Sequence, residues 1–183
     1  GGDLYRFSGL LILDGETGAE KRRIRLPIYW TSWLTIADLD GDGSSEFVWN
    51  TQGRVYAVGT DGRIRWTYAF VPGGLPGSPD AYSGVANAQV YDLDGDGVPE
   101  VVTTSLSELV ILDGRTGLPR ASHPSAGLHG SFYTAQNVQL VDADSDGHVD
   151  ILATNVSEPT GLAYLMLRGA PNDWLPGPAI HPQ

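Results

Sequence analysis

The amino-acid sequence predicts an all-β fold built of four-stranded antiparallel units that repeat along the chain. Three observations support this prediction. An acidic pattern recurs three times, beginning at Asp38, Asp92 and Asp142. An apolar run that ends in Asp-Gly alternates with it. The residues after each acidic pattern are apolar and often β-branched, as in Val101-Val102, which is typical of strands.

Each acidic pattern has the form D-x-D-x-D-G-x-x-[DE] and occupies residues 38–46, 92–100 or 142–150. The alternate spacing lets three carboxylates converge on one point, and the glycine allows a tight turn. Four like charges in one short loop repel one another unless a cation balances them. Because all the side-chain ligands are oxygen atoms, a hard cation is favoured, and calcium fits best.

An EF-hand also begins with D-x-D-x-D-G, but it requires a glutamate at its twelfth position and a helix on either side. The twelfth positions here are Trp49, Thr103 and Ala153, which offer no carboxylate. The sequence therefore excludes the EF-hand and predicts loops between strands.

One repeat is predicted to hold four strands. The first strand runs into the acidic loop, over Leu34 to Ala37, Ala88 to Tyr91 and Val138 to Val141. The second strand leaves the loop, and the third ends at an Asp-Gly turn at position 14, 61 or 113. The fourth strand returns, as in Arg63 to Trp66. Four antiparallel strands in about 50 residues make the unit of a β-propeller blade.

The predicted divisions are a partial blade over 1–30 and blades over 31–72, 84–123 and 131–183. The partial blade holds strands over Leu10 to Leu13 and Arg23 to Ile28. The last blade includes a degenerate hairpin over 163–169, with Trp174 as the counterpart of Trp66. About three and a half blades are fewer than the four to eight of a closed ring. We therefore expect the remaining blades to come from the same polypeptide or from another chain, with closure of this chain into a four-bladed ring as the alternative.

These loops, strands and repeat lengths resemble the FG-GAP or VCBS repeats of integrin-α-type β-propellers. The resemblance implies three calcium sites, with side-chain ligation by Asp38, Asp40, Asp42, Glu46, Asp92, Asp94, Asp96, Glu100, Asp142, Asp144, Asp146 and Asp150. It also implies backbone carbonyl ligands from Ser44, Val98 and His148. The third loop departs from the pattern, since Ser145 replaces a glycine and Asp150 replaces a glutamate. The shorter carboxylate is expected to reach an ion less fully.

Composition narrows the function classes. The formal net charge is −11, and more than half of the acidic residues lie in the three loops. No basic stripe is present to neutralise phosphates, so nucleic acid is not expected as a partner.

No apolar run is long enough to span a membrane. The absence of cysteine leaves the compartment open, but multi-carboxylate loops suit extracellular calcium. A secreted or cell-surface location is expected, with the periplasm as the alternative.

A ligand is expected on the face opposite the acidic loops, where the connections between blades lie. Two long connections, 71–84 and 121–131, carry the candidate binding residues Tyr82, His123 and His129. The partner is predicted to be a protein or a carbohydrate. The four histidines lack the spacing of a transition-metal site. The tryptophans at 30, 33, 49, 66 and 174 are expected mainly to pack between sheets rather than to form a carbohydrate platform.

The sequence thus favours a non-catalytic, calcium-stabilised propeller segment that mediates adhesion or recognition. One alternative is a polysaccharide-active enzyme, because similar loops occur in rhamnogalacturonan lyases. No Lys, Arg or His group suited to β-elimination is visible in the sequence. A second alternative, a quinone-dependent dehydrogenase propeller, shares the Val55-Tyr56-Ala57…Trp66 pattern but does not explain the acidic loops. The sequon at Asn155 carries little weight by itself.

Overall fold

A computed structural model describes residues 9–25, 33–51, 53–70, 86–105, 108–124, 137–157 and 161–167. These residues form β-strands joined by turns, with no helix among them. The strands are β1 Gly9–Leu13, β2 Glu20–Arg25, β3 Thr35–Ala37, β4 Glu46–Thr51, β5 Arg54–Gly59, β6 Ile64–Ala69, β7 Ala88–Tyr91, β8 Glu100–Thr104, β9 Glu108–Asp113, β10 Pro119–Pro124, β11 Asn137–Val141, β12 Asp150–Ser157 and β13 Gly161–Leu167. The prediction of an all-β chain is confirmed.

The strands form four antiparallel sheets in which consecutive strands are neighbours. We call β1 and β2 the N-terminal hairpin, β3–β6 the first sheet, β7–β10 the second sheet and β11–β13 the third sheet. The first and second sheets have the predicted four strands. The expected fourth strand of the third sheet, with Trp174, lies outside the described residues. The described sheets do not close into a ring.

The strands that lead into the acidic loops lie where the sequence predicts them, as β3, β7 and β11. Two other bounds differ. Strand β2 begins at Glu20 rather than Arg23. Strand β10 continues to Pro124, so His123 lies in the ladder opposite Leu109 instead of in a connection that starts at Ala121. The fourth strand of this sheet was predicted but its end was not, because polar side chains at an exposed outer position give no apolar pattern that marks where the strand stops.

Both faces of the central sheets are buried. In β4, Phe47 and Trp49 pack with Ile24 of the N-terminal hairpin, whereas Val48 belongs to the core shared with the second sheet. In β9, the alternate residues Val110 and Leu112 join that same core. Leu109 and Ile111 instead join the core shared with the third sheet. This two-sided burial explains the continuous apolar runs that follow the acidic loops.

The first strands of the first, second and third sheets contact one another in succession. The Thr35 hydroxyl donates a hydrogen bond of 2.6 Å to the Ala88 carbonyl. The Asn87 side chain accepts a hydrogen bond of 2.7 Å from the Val138 N–H and donates one of 3.1 Å to the Val138 carbonyl. Three sheets are therefore joined in succession along β3, β7 and β11, which brings successive acidic loops to the same end of the assembly.

The buried tryptophans pack between sheets, as predicted. Trp49 packs with Ile24 of the N-terminal hairpin and also stacks on Tyr56 of its own sheet, with ring centroids 5.9 Å apart. Trp66 is buried in the core shared with the second sheet. Trp33 is an exception, since it is 68% exposed. Trp30 and Trp174 lie outside the described residues. No helix among the described residues is long and apolar enough to cross a lipid bilayer.

Candidate metal centres in the acidic loops

The three acidic loops join β3 to β4, β7 to β8 and β11 to β12. In the first loop, Asp38, Asp40 and Asp42 each place one carboxylate oxygen within 4.8 Å of the others. The same holds for the corresponding groups of the other loops, which are Asp92, Asp94, Asp96, Asp142, Asp144 and Asp146. The alternate spacing in the sequence therefore does bring the side chains together three times.

The first aspartate of each loop organises the turn through both carboxylate oxygens. Asp38 accepts hydrogen bonds from the backbone N–H groups of Gly41 at 2.8 Å and Gly43 at 2.9 Å. Asp92 accepts equivalent bonds in the second loop, at 2.8 and 3.0 Å. The bond from Gly43 is the main reason that the pKa of Asp38 is lowered, because it stabilises the charged form. The Asp38 carboxylate is therefore favoured in its charged form and fixed in place.

The turns require positive φ angles at two positions. Gly43 and Gly97 have φ of 84°, and Gly147 has φ of 91°. The fourth position of the loop is also left-handed, with φ of 76° at Gly41. In the third loop Ser145 occupies this position with φ of 64°, which costs more for a residue that has a Cβ atom. The departure noted in the sequence is therefore a point of backbone strain.

The acid at the ninth position of each loop is almost completely buried. One oxygen of Glu46 accepts a hydrogen bond of 3.0 Å from the backbone N–H of Leu39. Glu100 and Asp150 accept the same bond from the second residue of their own loops, at 2.7 and 2.8 Å. The shorter Asp150 therefore reaches the backbone as well as glutamate does. This backbone contact was not expected from the sequence, which indicated only metal ligation.

The second oxygen of Glu46 is buried and has no hydrogen-bond partner. The Nε atom of Arg65 lies 3.9 Å from it, in an ion pair too long for a hydrogen bond. Glu46 and Asp40 line a small cavity of about 110 Å³. Burial, followed by the charges of Asp40 and Asp42, raises the pKa of Glu46. A buried carboxylate oxygen beside other carboxylates is suited to a cation with oxygen ligands.

The second loop differs because an arginine from β10 reaches into it. The guanidinium of Arg120 forms ion pairs with Glu100 at 3.0 Å, with Asp96 at 3.1 Å and with Asp94. It also pairs with Asp113 in the adjacent hairpin, at 2.9 Å. The hydrogen bonds to Asp113 and then to Asp96 raise the pKa of the guanidinium above its ordinary value. This residue was missed from the sequence.

The predicted backbone ligands occupy the seventh position of each loop. Their N–H groups donate to the third aspartate, over 2.7 Å from Ser44, 2.8 Å from Val98 and 2.9 Å from His148. Among the proposed ligand-face residues, His123 is exposed on β10. Tyr82 and His129 lie outside the described residues. The twelve predicted acids are therefore placed in the loops, whereas the ligand face is described only at His123.

Comparison with known proteins agrees with this architecture. Residues 38–103 match the family model of the FG-GAP-like repeat, a stretch that includes the first two acidic loops. No curated protein matches the chain. The fold is similar to that of the Vibrio cholerae biofilm matrix protein Bap1, with a TM-score of 0.52 and 18% sequence identity. That similarity covers 72% of this chain but only 21% of Bap1. The chain therefore carries an FG-GAP-like repeat over residues 38–103.

Proposed function

We propose that this chain is a calcium-stabilised, extracellular β-propeller segment that mediates adhesion or recognition and is not catalytic. The observation that carries the proposal is the threefold occurrence of one carboxylate cluster. In each copy, three oxygens from different aspartates lie within 4.8 Å of one another at the same place in the sheet. A loop that only makes a turn does not require this convergence.

Calcium is the cation that best suits the donors. The described side chains at each site supply only carboxylate oxygens, and calcium accepts six to eight oxygen ligands in flexible geometry. Asp38, Asp40, Asp42 and Glu46 would hold the ion in the first loop, with the backbone of Ser44 completing the set. The matching residues of the other two loops would form two further sites. A bound ion would neutralise the clustered charges and connect the two strands on either side of the loop.

The propeller arrangement is supported by the contacts among β3, β7 and β11 and by the burial of both sheet faces. The N-terminal hairpin packs Leu10 and Ile12 against the first sheet, but Leu11 and Leu13 on its other face are 40% and 51% exposed. We infer that further blades, from the same or another chain, cover this face. Repeat proteins bury such surfaces against neighbouring units.

Adhesion is proposed because the fold is shared with a biofilm matrix protein and because the repeat family resembles integrin-α propellers. The acidic loops and the hairpin turns share one end of the sheets, since Glu100 of β8 pairs with Asp113 of β9. At the opposite end, Ala69 of β6 pairs with Arg54 of β5 and Ala88 of β7 pairs with Thr103 of β8, so the strands enter and leave the connection between these sheets there. A protein or carbohydrate ligand would bind there, near Tyr82, His123 and His129.

Calorimetric titration of chelator-treated protein with calcium tests the metal sites. We expect three bound ions in the full chain and the loss of one in Asp94→Ala. Asp14→Ala is the matched control, because Asp14 lies in a hairpin turn outside the acidic loops. Binding that is absent in the wild type, or unchanged in Asp94→Ala, would contradict the proposal.

Beads coated with the full chain test the recognition function. We expect calcium-dependent attachment to a polysaccharide or protein surface, with pectin, alginate and fibronectin as probes. Attachment that is insensitive to chelator would contradict a calcium-dependent adhesive role. The enzymatic alternative predicts unsaturated products, visible by ultraviolet absorbance, when the protein is incubated with pectic polysaccharide.

A further inference from the structure

A basic residue occupies the same irregular position in three sheets. The pairing of β9 with β10 shifts between Pro119 and Ala121, which leaves Arg120 as the extra residue of a β-bulge. The pairing of β5 with β6 shifts in the same way around Arg65. In the N-terminal hairpin, Lys21 lies at the shift between Glu20 and Arg22. A bulge re-aims a side chain that regular pairing would place elsewhere.

Each of these basic residues contacts a carboxylate in the turn of its own hairpin. Lys21 lies 2.8 Å from Asp14, and Arg65 lies 3.1 Å from Asp61. Arg120 lies 2.9 Å from Asp113. Each bulge therefore directs its basic side chain toward the hairpin turn. In the first and second sheets, this is the end that carries the acidic loop. The Asp14–Lys21 and Asp113–Arg120 pairs share a seven-residue spacing that is visible in the sequence.

Arg65 and Arg120 differ in how closely they approach the carboxylates of the acidic loop in their own sheet. Arg120 pairs with Asp94, Asp96 and Glu100, which are three of the four acids in the second loop. Arg65 approaches only Glu46, at 3.9 Å, in the first loop. The buried Oε1 atoms of Glu46 and Glu100 both lack a hydrogen bond of good geometry. They differ in their ion pairs, since a guanidinium nitrogen lies 3.0 Å from Glu100 but 3.9 Å from Glu46.

We propose that Arg120 is a resident counter-ion of the second acidic loop, which competes with calcium and makes this site weaker than the first. The proposal rests on the calcium-binding function proposed above. The Oδ1 atoms of Asp94 and Asp96 accept backbone hydrogen bonds, and Arg120 pairs with their Oδ2 atoms. A calcium ion that binds through the Oδ2 atoms must therefore displace Arg120. Asp113 lies outside the loop and retains the displaced guanidinium close by. In calcium-free protein, Arg120 balances the loop charges and preserves the turn.

The test compares calcium titrations of the full chain with those of two variants that lose the same charge. Arg120→Gln removes the counter-ion from the second loop. Arg63→Gln is the matched control, because Arg63 lies on the hairpin of the first sheet and has a side chain that is 85% exposed. Among the described residues, Arg63 forms an ion pair only with Asp61, at 3.9 Å. Removing a positive charge a few ångströms from the ion should strengthen one site of Arg120→Gln by about tenfold or more. Arg63→Gln should leave every site within about twofold, because exposed charges are screened.

A second readout does not require calcium. In chelator, Arg120→Gln should melt at a lower temperature than the wild type, since four carboxylates lose their common partner, whereas Arg63→Gln should not. Adding calcium should therefore raise the melting temperature more in Arg120→Gln than in the wild type. The double variant Asp94→Asn with Arg120→Gln should lose the strengthened calcium site. That loss would show that the strengthened site is the one in the second loop.

The outcomes separate this proposal from the proposed function. If the wild type binds calcium but Arg120→Gln shows no strengthened site, Arg120 is not a competitor and the calcium function stands. Equal strengthening in Arg63→Gln would attribute the effect to net charge and also overturn the proposal. If the wild type binds no calcium, the proposed function fails first. Should Arg120→Gln fail to fold, Arg120→Met, which also removes the charge and keeps a long side chain, must strengthen the site.

Discussion

The indole N–H of Trp66 in the first sheet donates a hydrogen bond of 2.7 Å to the carbonyl of Gly114 in the second sheet. The ring of Trp66 also lies against Gly117, where an added Cβ atom would come within 2.5 Å of it. The Gly114 N–H in turn donates to the Pro99 carbonyl of the acidic loop, at 3.0 Å. One tryptophan therefore connects its own sheet to the hairpin that supports the next acidic loop.

Gly117→Ala should destabilise the protein by about 2–4 kcal/mol, because it adds a clash with Trp66 to the cost of a left-handed backbone. Gly18→Ala is the matched control. Gly18 holds the same place in the N-terminal hairpin, with φ of 70° against 69°, but an added Cβ there meets nothing within 4 Å. Gly18→Ala should therefore lower the free energy of unfolding by only about 1 kcal/mol. Denaturant unfolding measures both, and equal losses would show that Trp66 does not constrain this turn.

Ser145→Gly should stabilise the third loop by about 1 kcal/mol, since Ser145 has a φ of 64° that glycine adopts without strain. The reverse change, Gly41→Ser in the first loop, should cost a similar amount. Gly41 has φ of 76° and open space around it, so no clash adds to the effect. Thermal unfolding in excess calcium measures both variants. A destabilising Ser145→Gly would mean that the serine makes a stabilising contact that outweighs the strain.

Glu46→Gln should have opposite effects with and without calcium. In chelator it should stabilise the protein by about 1 kcal/mol, because an uncharged amide replaces a buried carboxylate with one unpartnered oxygen. In calcium it should weaken the first site, since a ligand charge is lost. Wild-type protein at calcium about 100 times Kd should gain about 2.7 kcal/mol per site, and magnesium should add much less. Scanning calorimetry in each condition checks this, and a melting temperature indifferent to calcium would contradict it.

The Tyr68 hydroxyl lies 3.1 Å from a carboxylate oxygen of Glu108 in the second sheet. Burial, followed by the charge of Glu108 and the hydrogen bond to it, raises the pKa of Tyr68 to about 12. A raised tyrosine pKa contributes stability that is fully present below the ordinary value of 10.0 and is lost as the pH rises through about 12. The difference in tyrosinate absorbance between wild type and Tyr68→Phe should therefore titrate near pH 12. Glu108→Gln should shift that difference part of the way toward pH 10, and an unshifted titration would mean that burial alone raises the pKa.

Local sequence patterns were sufficient for the strands and the carboxylate clusters. Alternate aspartates and a following glycine place oxygens together through short-range geometry, so Asp92, Asp94 and Asp96 converge as predicted. The apolar residues after each loop, such as Val101 and Val102, indicated a strand buried on both faces, because no solvated face was left in the pattern.

Contacts between residues that are distant in the sequence depended on the tertiary structure. Arg120 is 26 residues from Asp94, and only the bulge in β10 directs its guanidinium into the acidic loop. The same applies to Trp66 and Gly114, which are 48 residues apart. The sequence by itself determined the repeating strands and the acidic loops, because both arise from neighbouring residues. The tertiary structure decided which distant cation and which tryptophan meet each loop, because strand register and sheet packing set those distances.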